Sequence, residues 1–253
     1  MQLKQRLLCT TTPVHGLFCA LPSPLAVELA AAAGYDFVVI DLEHGLLAPD
    51  TLAAMLLAAR ASHIAALVRV AHPGQVSPAL DHGAAGIVFP RVGSAADARR
   101  AVRQARHAPL GRRGTNASHH SGYGRDDLAA AQARFDADTL VVAMIEDADA
   151  VAQAADIAAV EGVDVLLEGA ADLAQSLGLP WQTRHPQVRS ALAEVEAAAR
   201  AAGKLFCALP RAPEDLAQWR QQGVRMFVLG EDRGLLRRTL AQHLEQHRAG
   251  LRP

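Results

Sequence analysis

The sequence predicts an α/β protein in which residues 1–253 form a single domain, folded as a closed (β/α)8 TIM barrel. Eight short apolar runs occur along the chain, and most of them are followed by an alanine- or leucine-rich segment with helical spacing. The chain of 253 residues, 51% of them hydrophobic, lies in the size range that such barrels occupy as one domain. Gly34, Gly83, Gly203 and Gly223 stand where predicted helices should end.

The strand-like runs alternate regularly with the helical patterns. The predicted strands are 16–21, 36–41, 65–70, 86–90, 139–145, 163–168, 204–209 and 225–229. The predicted helices are 24–33, 49–62, 75–83, 94–107, 148–159, 186–202, 212–222 and 231–247. An open, doubly wound sheet is the alternative, but the first strand-to-helix turn lacks the Gly-x-Gly-x-x-Gly phosphate motif. The polar insert 109–124 is expected to act as a lid or binding loop on the C-terminal face.

The composition argues against several classes of protein. A formal net charge of −1 gives no general electrostatic attraction to nucleic acid or to an anionic membrane. No apolar run is long enough to span a bilayer, and the N-terminus lacks the apolar segment of a signal peptide. Cys9, Cys19 and Cys207 are too widely spaced to indicate a disulfide framework or a zinc site. We therefore expect a cytoplasmic protein without nucleic-acid or membrane partners.

Polar side chains collect at the predicted carboxyl ends of five strands, where a barrel carries its active site. The clearest example is the run 163–178, in which a predicted buried strand ends at Glu168 and is followed by Gly169 and, three residues later, by Asp172. A buried carboxylate is costly unless it is paired or has a function. We expect both acids to face the mouth of the barrel. The remaining strand-end candidates are Asp41, Glu43, His44, Arg69, Arg91 and Glu146.

These side chains suit an enzyme that handles an acidic substrate through an enolate. Arg69 and Arg91 can bind carboxylates and stabilise a developing oxyanion. His44 can transfer a proton if Asp41 or Glu43 orients its ring. Glu146 and Asp172 together offer oxygen ligands to a divalent cation.

Other residues are weaker candidates. Ser23 could contact a substrate carboxylate, but it suits the N-cap of the helix that begins at Pro24 better. A Schiff-base lysine is not expected, because Lys204 begins a strand and so lies at the wrong face of the barrel. His119 and His120 are adjacent and are expected to point opposite ways, which argues against a metal pair.

Five segments resemble the 2-oxo-acid aldolases of the HpcH/HpaI aldolase/citrate lyase family, within the phosphoenolpyruvate/pyruvate barrel superfamily. They are Gly34-Tyr-Asp-Phe-Val-Val-Ile-Asp-Leu-Glu-His44, Val68-Arg69-Val70, Ile145-Glu146, Val160-Glu-Gly-Val-Asp164 and Gly169-Ala-Ala-Asp172-Leu173. The resemblance implies that Glu146 and Asp172 bind Mg²⁺ or Mn²⁺ and that Arg69 stabilises a pyruvate enolate. It also implies a His44–Asp41 acid/base dyad, with Gly169 and Ala171 beside the substrate. The family further implies a homo-oligomer, from dimer to hexamer, in which the eighth helix is exchanged between subunits.

Departures from the aldolase pattern favour one branch of the superfamily. Glu168-Gly-Ala-Ala-Asp172 stands where these aldolases usually have an apolar residue followed by Gly-Pro-x-Asp, and Met144 and Arg91 replace a glutamine and an apolar residue. With Pro180-Trp-Gln-Thr183, the segment resembles the staphyloferrin B-type citrate synthases of siderophore pathways. That branch makes citrate from oxaloacetate and acetyl-CoA and is regarded as needing no metal. A second arginine near the mouth suits the second carboxylate of oxaloacetate.

The expected function is therefore citrate synthesis from oxaloacetate and acetyl-CoA for siderophore biosynthesis. The first alternative is a divalent-metal-dependent class II aldolase that cleaves 4-hydroxy-2-oxo acids to pyruvate and an aldehyde. The second alternative is a non-catalytic barrel that binds an acidic metabolite.

Overall fold

The computed structural model describes residues 2–249. These residues form the closed parallel barrel that the sequence predicts. Its strands pair in sequence order, and the eighth closes on the first, so the alternative of an open sheet is wrong. The strands are β1 Val14–Cys19, β2 Phe37–Asp41, β3 Ala65–Arg69, β4 Gly86–Phe89, β5 Leu140–Ile145, β6 Val165–Glu168, β7 Leu205–Ala208 and β8 Met226–Glu231.

The helices lie outside the barrel and follow the predicted order, with additions. Within residues 2–249 they are α1 Leu3–Cys9, α2 Pro24–Ala32, α3 Pro49–Ala61, α4 Val76–Asp81, α5 Ala95–Ala105, α6 Leu128–Asp138, α7 Ala148–Ala152, α8 Ala154–Ala158, α9 Ala170–Ser176, α10 Pro186–Ala201, α11 Pro213–Gln221 and α12 Asp232–Ala249. The predicted helix 148–159 is thus two short helices. Helix α6 was not predicted. No helix in the described part of the chain is both long enough and apolar enough to cross a bilayer.

Each strand contributes to two apolar layers. Val165 and Leu167 of β6 pack inside the barrel, whereas Leu166 between them packs against the helices. Successive residues of a strand point to opposite faces, so this alternation follows from strand geometry. The position of a polar residue along its strand therefore decides whether it faces the barrel mouth or the helical layer.

The first strand-to-helix turn is held at both of its ends. Ser23 caps α2 as predicted, because its Oγ accepts a hydrogen bond from the N–H of Leu25 at 3.2 Å and Pro24 begins the helix. The carboxylate of Asp232, at the start of α12, accepts hydrogen bonds from the N–H groups of Ala20 and Leu21 at 3.0–3.1 Å. The end of β8 and the start of α12 thus fix the loop after β1.

The polar insert 109–124 lies at the N-terminal face of the barrel, so the prediction that it opens on the C-terminal face is wrong. Arg113 pairs with Asp81 at the end of α4 at 2.5 Å. The rings of His119 and His120 contact the carbonyl oxygens of Asp81 and Leu80 at 3.1 and 2.9 Å. The reason is topological, since the insert, together with α6, connects the C-terminal end of α5 to the N-terminal end of β5.

The two histidines of the insert also differ from expectation. Their ring centroids lie 3.8 Å apart and both rings turn toward α4. The prediction that they point opposite ways assumed an extended chain. Instead they begin a 3-10 turn, His119–Gly124, in which neighbouring side chains lie closer together.

Helix α12 carries an exposed apolar stripe. Leu236, Leu240 and Leu244 recur every four residues and are 49%, 59% and 49% exposed. Residues four apart lie on one face of a helix. Leu25 and Leu29 form a similar exposed pair on α2. Apolar surface arranged in this way is typical of a subunit contact.

Candidate active site

A buried ion pair at the C-terminal end of the barrel joins Asp41 to Arg69. The two residues are partners in the β2–β3 register, at the last position of each strand. Arg69 donates from Nε and Nη2 to the two carboxylate oxygens at 2.8 and 2.7 Å, and its guanidinium lies 4.7 Å from the ring centroid of Phe18. Burial would raise the pKa of Asp41, but the hydrogen bonds and charge of Arg69 outweigh it, so the pKa lies below its usual value. The pair is therefore ionised.

Asp41 also shapes the turn that follows β2. Its Oδ1 accepts hydrogen bonds from the N–H groups of Glu43 and His44 at 3.0 and 3.3 Å. The carboxylate is thus fully used by Arg69 and by the backbone. It fixes the turn from which the side chains of Glu43 and His44 project.

The carboxylate of Glu43 lies close to the side chains of Arg69, His44 and Arg91. Its Oε2 lies 3.2 Å from Nη1 of Arg69 and 3.7 Å from Nε2 of His44, and its Oε1 lies 3.7 Å from Nε of Arg91. The acid beside the ring of His44 is therefore Glu43, whereas the resemblance implies Asp41. The side chain of His44 is 54% exposed, so its ring can be reached from solvent.

Glu146 follows β5 and is held by the backbone of Arg91. The N–H of Arg91 donates to Oε1 of Glu146 at 2.6 Å. Arg91 reaches this position with a φ of 52°, in the left-handed region, while its guanidinium stays 73% exposed. The main chain of this residue thus contacts the acid, and its side chain extends toward Glu43.

The pKa of Glu146 is raised to about 7. Burial is the main cause, and the negative charges of Glu43 and Asp172 add to it, against the opposing effects of the Arg91 N–H and of Arg69. A carboxylate that exchanges its proton near neutral pH is suited to act as a general base.

Gly169 allows β6 to approach Glu146 closely. A Cβ at this position would lie 2.3 Å from Cβ of Glu146, so no other residue fits without a shift of the chain. The N–H of Gly169 donates to the carbonyl of Ile145 at 2.9 Å, which continues the β5–β6 pairing. Ala171 and Asp172 follow in the first turn of α9, where Asp172 is exposed.

Glu168 does not face the barrel mouth, so the prediction that it joins Asp172 there is wrong. It has the same orientation as Leu166, two residues earlier, and points into the helical layer. Its Oε1 accepts a hydrogen bond from the N–H of Leu209 at 2.5 Å. Its Oε2 is buried and has no hydrogen-bond partner among residues 2–249. The alternation of side chains along β6 explains the difference from the sequence prediction.

The acids at the mouth fit a hard divalent cation. Mg²⁺ usually takes one or two protein carboxylates and completes its shell with water and substrate. Glu146 and Asp172 provide that number, although no group of three metal-ligating side chains occurs in the described residues. A cation beside them would relieve the repulsion that contributes to the raised pKa of Glu146.

The sequence pattern predicts most of these residues at the mouth but gives no role to Asp232. This acid is 9% exposed and fixes the turn that carries Ser23. The signal was present, since Asp232 directly follows the eighth strand.

Comparisons with known proteins identify relatives of this chain. Residues 15–239 match the model of the HpcH/HpaI aldolase/citrate lyase family. The structure of citrate synthase SbnG superposes with a TM-score of 0.92 at 43% identity, and the match covers 98% of each chain. A 4-hydroxy-4-methyl-2-oxoglutarate aldolase of Chaetomium globosum is 40% identical over 194 residues, which are 72% of this chain and 70% of the aldolase.

A more distant relative, CitE of Mycobacterium tuberculosis, has been solved in complex with magnesium and acetate. It is 23% identical with a TM-score of 0.55 over 87% of this chain and 86% of its own, and shows the common fold alone. The family predicted from the sequence motifs is confirmed by the match that spans most of the chain. The protein therefore belongs to the HpcH/HpaI aldolase/citrate lyase family, whose enzymes form or cleave carbon–carbon bonds.

Proposed function

We propose that this enzyme condenses acetyl-CoA with oxaloacetate to give citrate and free CoA. The observation that carries the proposal is the pair of guanidinium groups, Arg69 and Arg91, on either side of Glu43. Two such groups suit a substrate with two carboxylates, because each can bind one of them. The 43% identity to citrate synthase SbnG over 98% of each chain supports this choice of reaction.

The contacts suggest a role for each residue. Asp41 engages Nε and Nη2 of Arg69, so Nη1, which contacts Glu43 at 3.2 Å, is the group that would turn to oxaloacetate. Arg91 would bind the second carboxylate, in place of its long contact with Glu43. Gly169 and Ala171 would lie beside the substrate next to Glu146, and Ser23 would be a further substrate contact on the opposite side of the mouth.

The chemistry then needs one base and one acid. Glu146 removes a proton from the acetyl methyl group, and the resulting enolate carbon forms a bond to the carbonyl carbon of oxaloacetate. His44, oriented by Glu43, donates a proton to the oxygen of that carbonyl. Water then cleaves the thioester, so that acetyl-CoA, oxaloacetate and water yield citrate and the CoA thiol.

A class II aldolase is the second candidate, because two carboxylates of the site fit a cation. Glu146 and Asp172 would hold Mg²⁺ or Mn²⁺, and the ion would polarise the 2-oxo carboxylate of a 4-hydroxy-2-oxo acid. The identity to the aldolase of Chaetomium globosum supports this alternative. The non-catalytic barrel is not retained, because the chain belongs to a family of enzymes.

Thiol release decides between the two reactions. Purified protein is incubated with oxaloacetate, acetyl-CoA and a thiol reagent, with and without a chelator, and citrate is identified by mass spectrometry. We expect thiol release in both conditions. Replacing His44 by Ala should lower the rate by roughly a hundredfold.

Absence of thiol release, with or without added divalent metal, rejects the synthase. Pyruvate release from a 4-hydroxy-2-oxo acid that stops on chelation would instead identify the aldolase. An aldolase rate that chelation leaves unchanged would reject the metal-dependent alternative.

We further propose that the enzyme is a cytoplasmic homo-oligomer that supplies citrate for siderophore assembly. The exposed stripe Leu236, Leu240 and Leu244 of α12 is suited to packing against a neighbouring subunit, with α12 exchanged between subunits. Cys9, Cys19 and Cys207 are all unpaired, which suits a reducing compartment.

A further inference from the structure

A small pocket lined by both polar and apolar side chains lies beside the barrel mouth, separate from the residues proposed for catalysis. It is formed by the α9–α10 connection, by α10 and by the β7–α11 connection, and its volume is about 60 Å³. This volume is enough for a few water molecules. The polar side chains at its wall include Thr183, Arg184, Arg189, Arg211 and Gln218.

The three arginines of this pocket are only partly neutralised. Arg184 pairs with Asp215 at 3.3 Å. Arg189 donates to the side-chain oxygen of Gln218, which carries no charge. The guanidinium of Arg211 forms no ion pair within residues 2–249. The arginines therefore leave an excess of positive charge, because only one of them has an acidic partner.

Glu168 is part of the wall of the same pocket. It is 2% exposed, and its Oε2 is one of the buried oxygens that have no hydrogen-bond partner in the described residues. Buried polar atoms almost always have a partner, and a group bound in this pocket would lie on the side of Glu168 where one is missing. Burial raises the pKa of Glu168 to about 7. The protonated carboxyl can donate a hydrogen bond to an anionic oxygen.

We propose that this pocket binds a phosphate group of a phosphorylated acyl donor, which is acetyl-CoA if the proposed function is correct. Guanidinium groups bind phosphate oxygens through paired N–H donors. TIM barrels frequently bind phosphate with the loops after their seventh and eighth strands, and Arg211 lies in the loop after β7. The small volume suits a phosphate group and leaves the rest of the donor outside.

The pocket is placed to deliver the acetyl group to the mouth. Glu168 directly precedes Gly169, whose Cα is packed against Glu146, the proposed base. The phosphate and the acetyl group would therefore bind on opposite faces of the end of β6. The pantetheine arm of CoA links these two parts of the donor. Trp181 lies in the same α9–α10 connection and is 84% exposed, which makes its indole available to stack on an adenine.

The test compares acyl donors that differ in the number of phosphate groups they carry. For wild type and Arg211→Gln, KM and kcat are measured with acetyl-CoA, acetyl-dephospho-CoA and S-acetylpantetheine at saturating oxaloacetate, and the KM for oxaloacetate is measured separately. We expect Arg211→Gln to raise the KM for acetyl-CoA about tenfold, the loss expected of one charge-assisted hydrogen bond. The KM for S-acetylpantetheine and for oxaloacetate should stay the same in both proteins. Arg99→Gln, an exposed arginine on α5, is the control and should change none of these values.

Equal KM values for acetyl-CoA in wild type and Arg211→Gln would overturn the proposal. So would an equal effect of the variant on acetyl-CoA and S-acetylpantetheine, because the latter carries no phosphate. Titration calorimetry with inorganic phosphate provides a further arm. If Arg211→Gln abolishes phosphate binding but leaves the KM for acetyl-CoA unchanged, the pocket serves free phosphate and the acyl-donor proposal is wrong.

Calorimetry with CoA tests the pocket independently of the proposed reaction, because it measures binding and needs no turnover. Weaker CoA binding by Arg211→Gln supports the pocket even if wild-type protein releases no thiol, in which case only the synthase proposal fails. Equal CoA binding by both proteins rejects the pocket, whatever the activity. Circular dichroism of Arg211→Gln confirms that the variant is folded.

Discussion

Replacing Glu146 by Gln should abolish turnover and yet make the protein more stable at alkaline pH. The pKa of this carboxyl is raised from 4.5 to about 7 in the folded protein. Below pH 4.5 the group is protonated in both the folded and the unfolded chain, so it has no effect on stability. As the pH rises from 4.5 to about 7, the unfolded chain loses its proton first, and the folded state becomes relatively less stable. Glutamine carries no charge and avoids this loss.

The size of the effect follows from the shift in pKa. One pKa unit corresponds to about 1.4 kcal/mol, so the variant should gain about 1 kcal/mol over wild type at pH 5 and about 3 kcal/mol at pH 8. Urea unfolding at both pH values, at equal protomer concentration, measures the difference. The same substitution at the exposed Glu161 is the control and should give little change. A stability difference for Glu146→Gln that is the same at pH 5 and pH 8 would refute the reasoning.

Three further predictions concern other contacts. Asp41→Asn removes the charge that pairs with buried Arg69 and should destabilise the protein by about 3–5 kcal/mol; chemical denaturation that shows no loss would mean that other groups hold the guanidinium. Arg91→Gly keeps the left-handed backbone and the N–H that contacts Glu146, so steady-state kinetics should show the KM for oxaloacetate raised about tenfold and kcat little changed; the reverse pattern would contradict the assignment. Leu240→Asp places a charge in the apolar stripe of α12 and should lower the oligomer mass measured by light scattering, and an unchanged mass would argue against a subunit contact there.

The barrel and much of its mouth could be predicted because they depend on local pattern. Buried parallel strands read as short apolar runs, and the polar residue that ends each run is easy to see. Asp41 and Arg69 end neighbouring strands, and the register of β2 with β3 then makes them partners. Because barrel enzymes carry their catalytic residues at strand ends, the same pattern indicates Glu146 as a candidate.

The orientation of Glu168 and the role of Glu43 depend on strand register and on side-chain contacts, which the pattern of apolar and polar residues does not contain. Glu168 and Gly169 are adjacent in sequence but face opposite layers, and the choice depends on the register of β6 within the sheet. The role of Glu43 depends on how completely Asp41 is engaged by Arg69 and by the backbone. Helix α6 was hidden because it follows directly on the polar insert. The face occupied by that insert could have been predicted, since the insert lies in the connection from α5 to β5.

The contacts of Asp232 connect the outer helix of the barrel to its rim. This residue begins α12, and its carboxylate holds the N–H groups of Ala20 and Leu21, just before the turn that carries Ser23. A shift of α12 along its axis would pull on this carboxylate and so on the loop after β1. Events at the far surface of α12, such as the arrival or departure of a neighbouring molecule, are therefore mechanically linked to the order of one side of the catalytic opening.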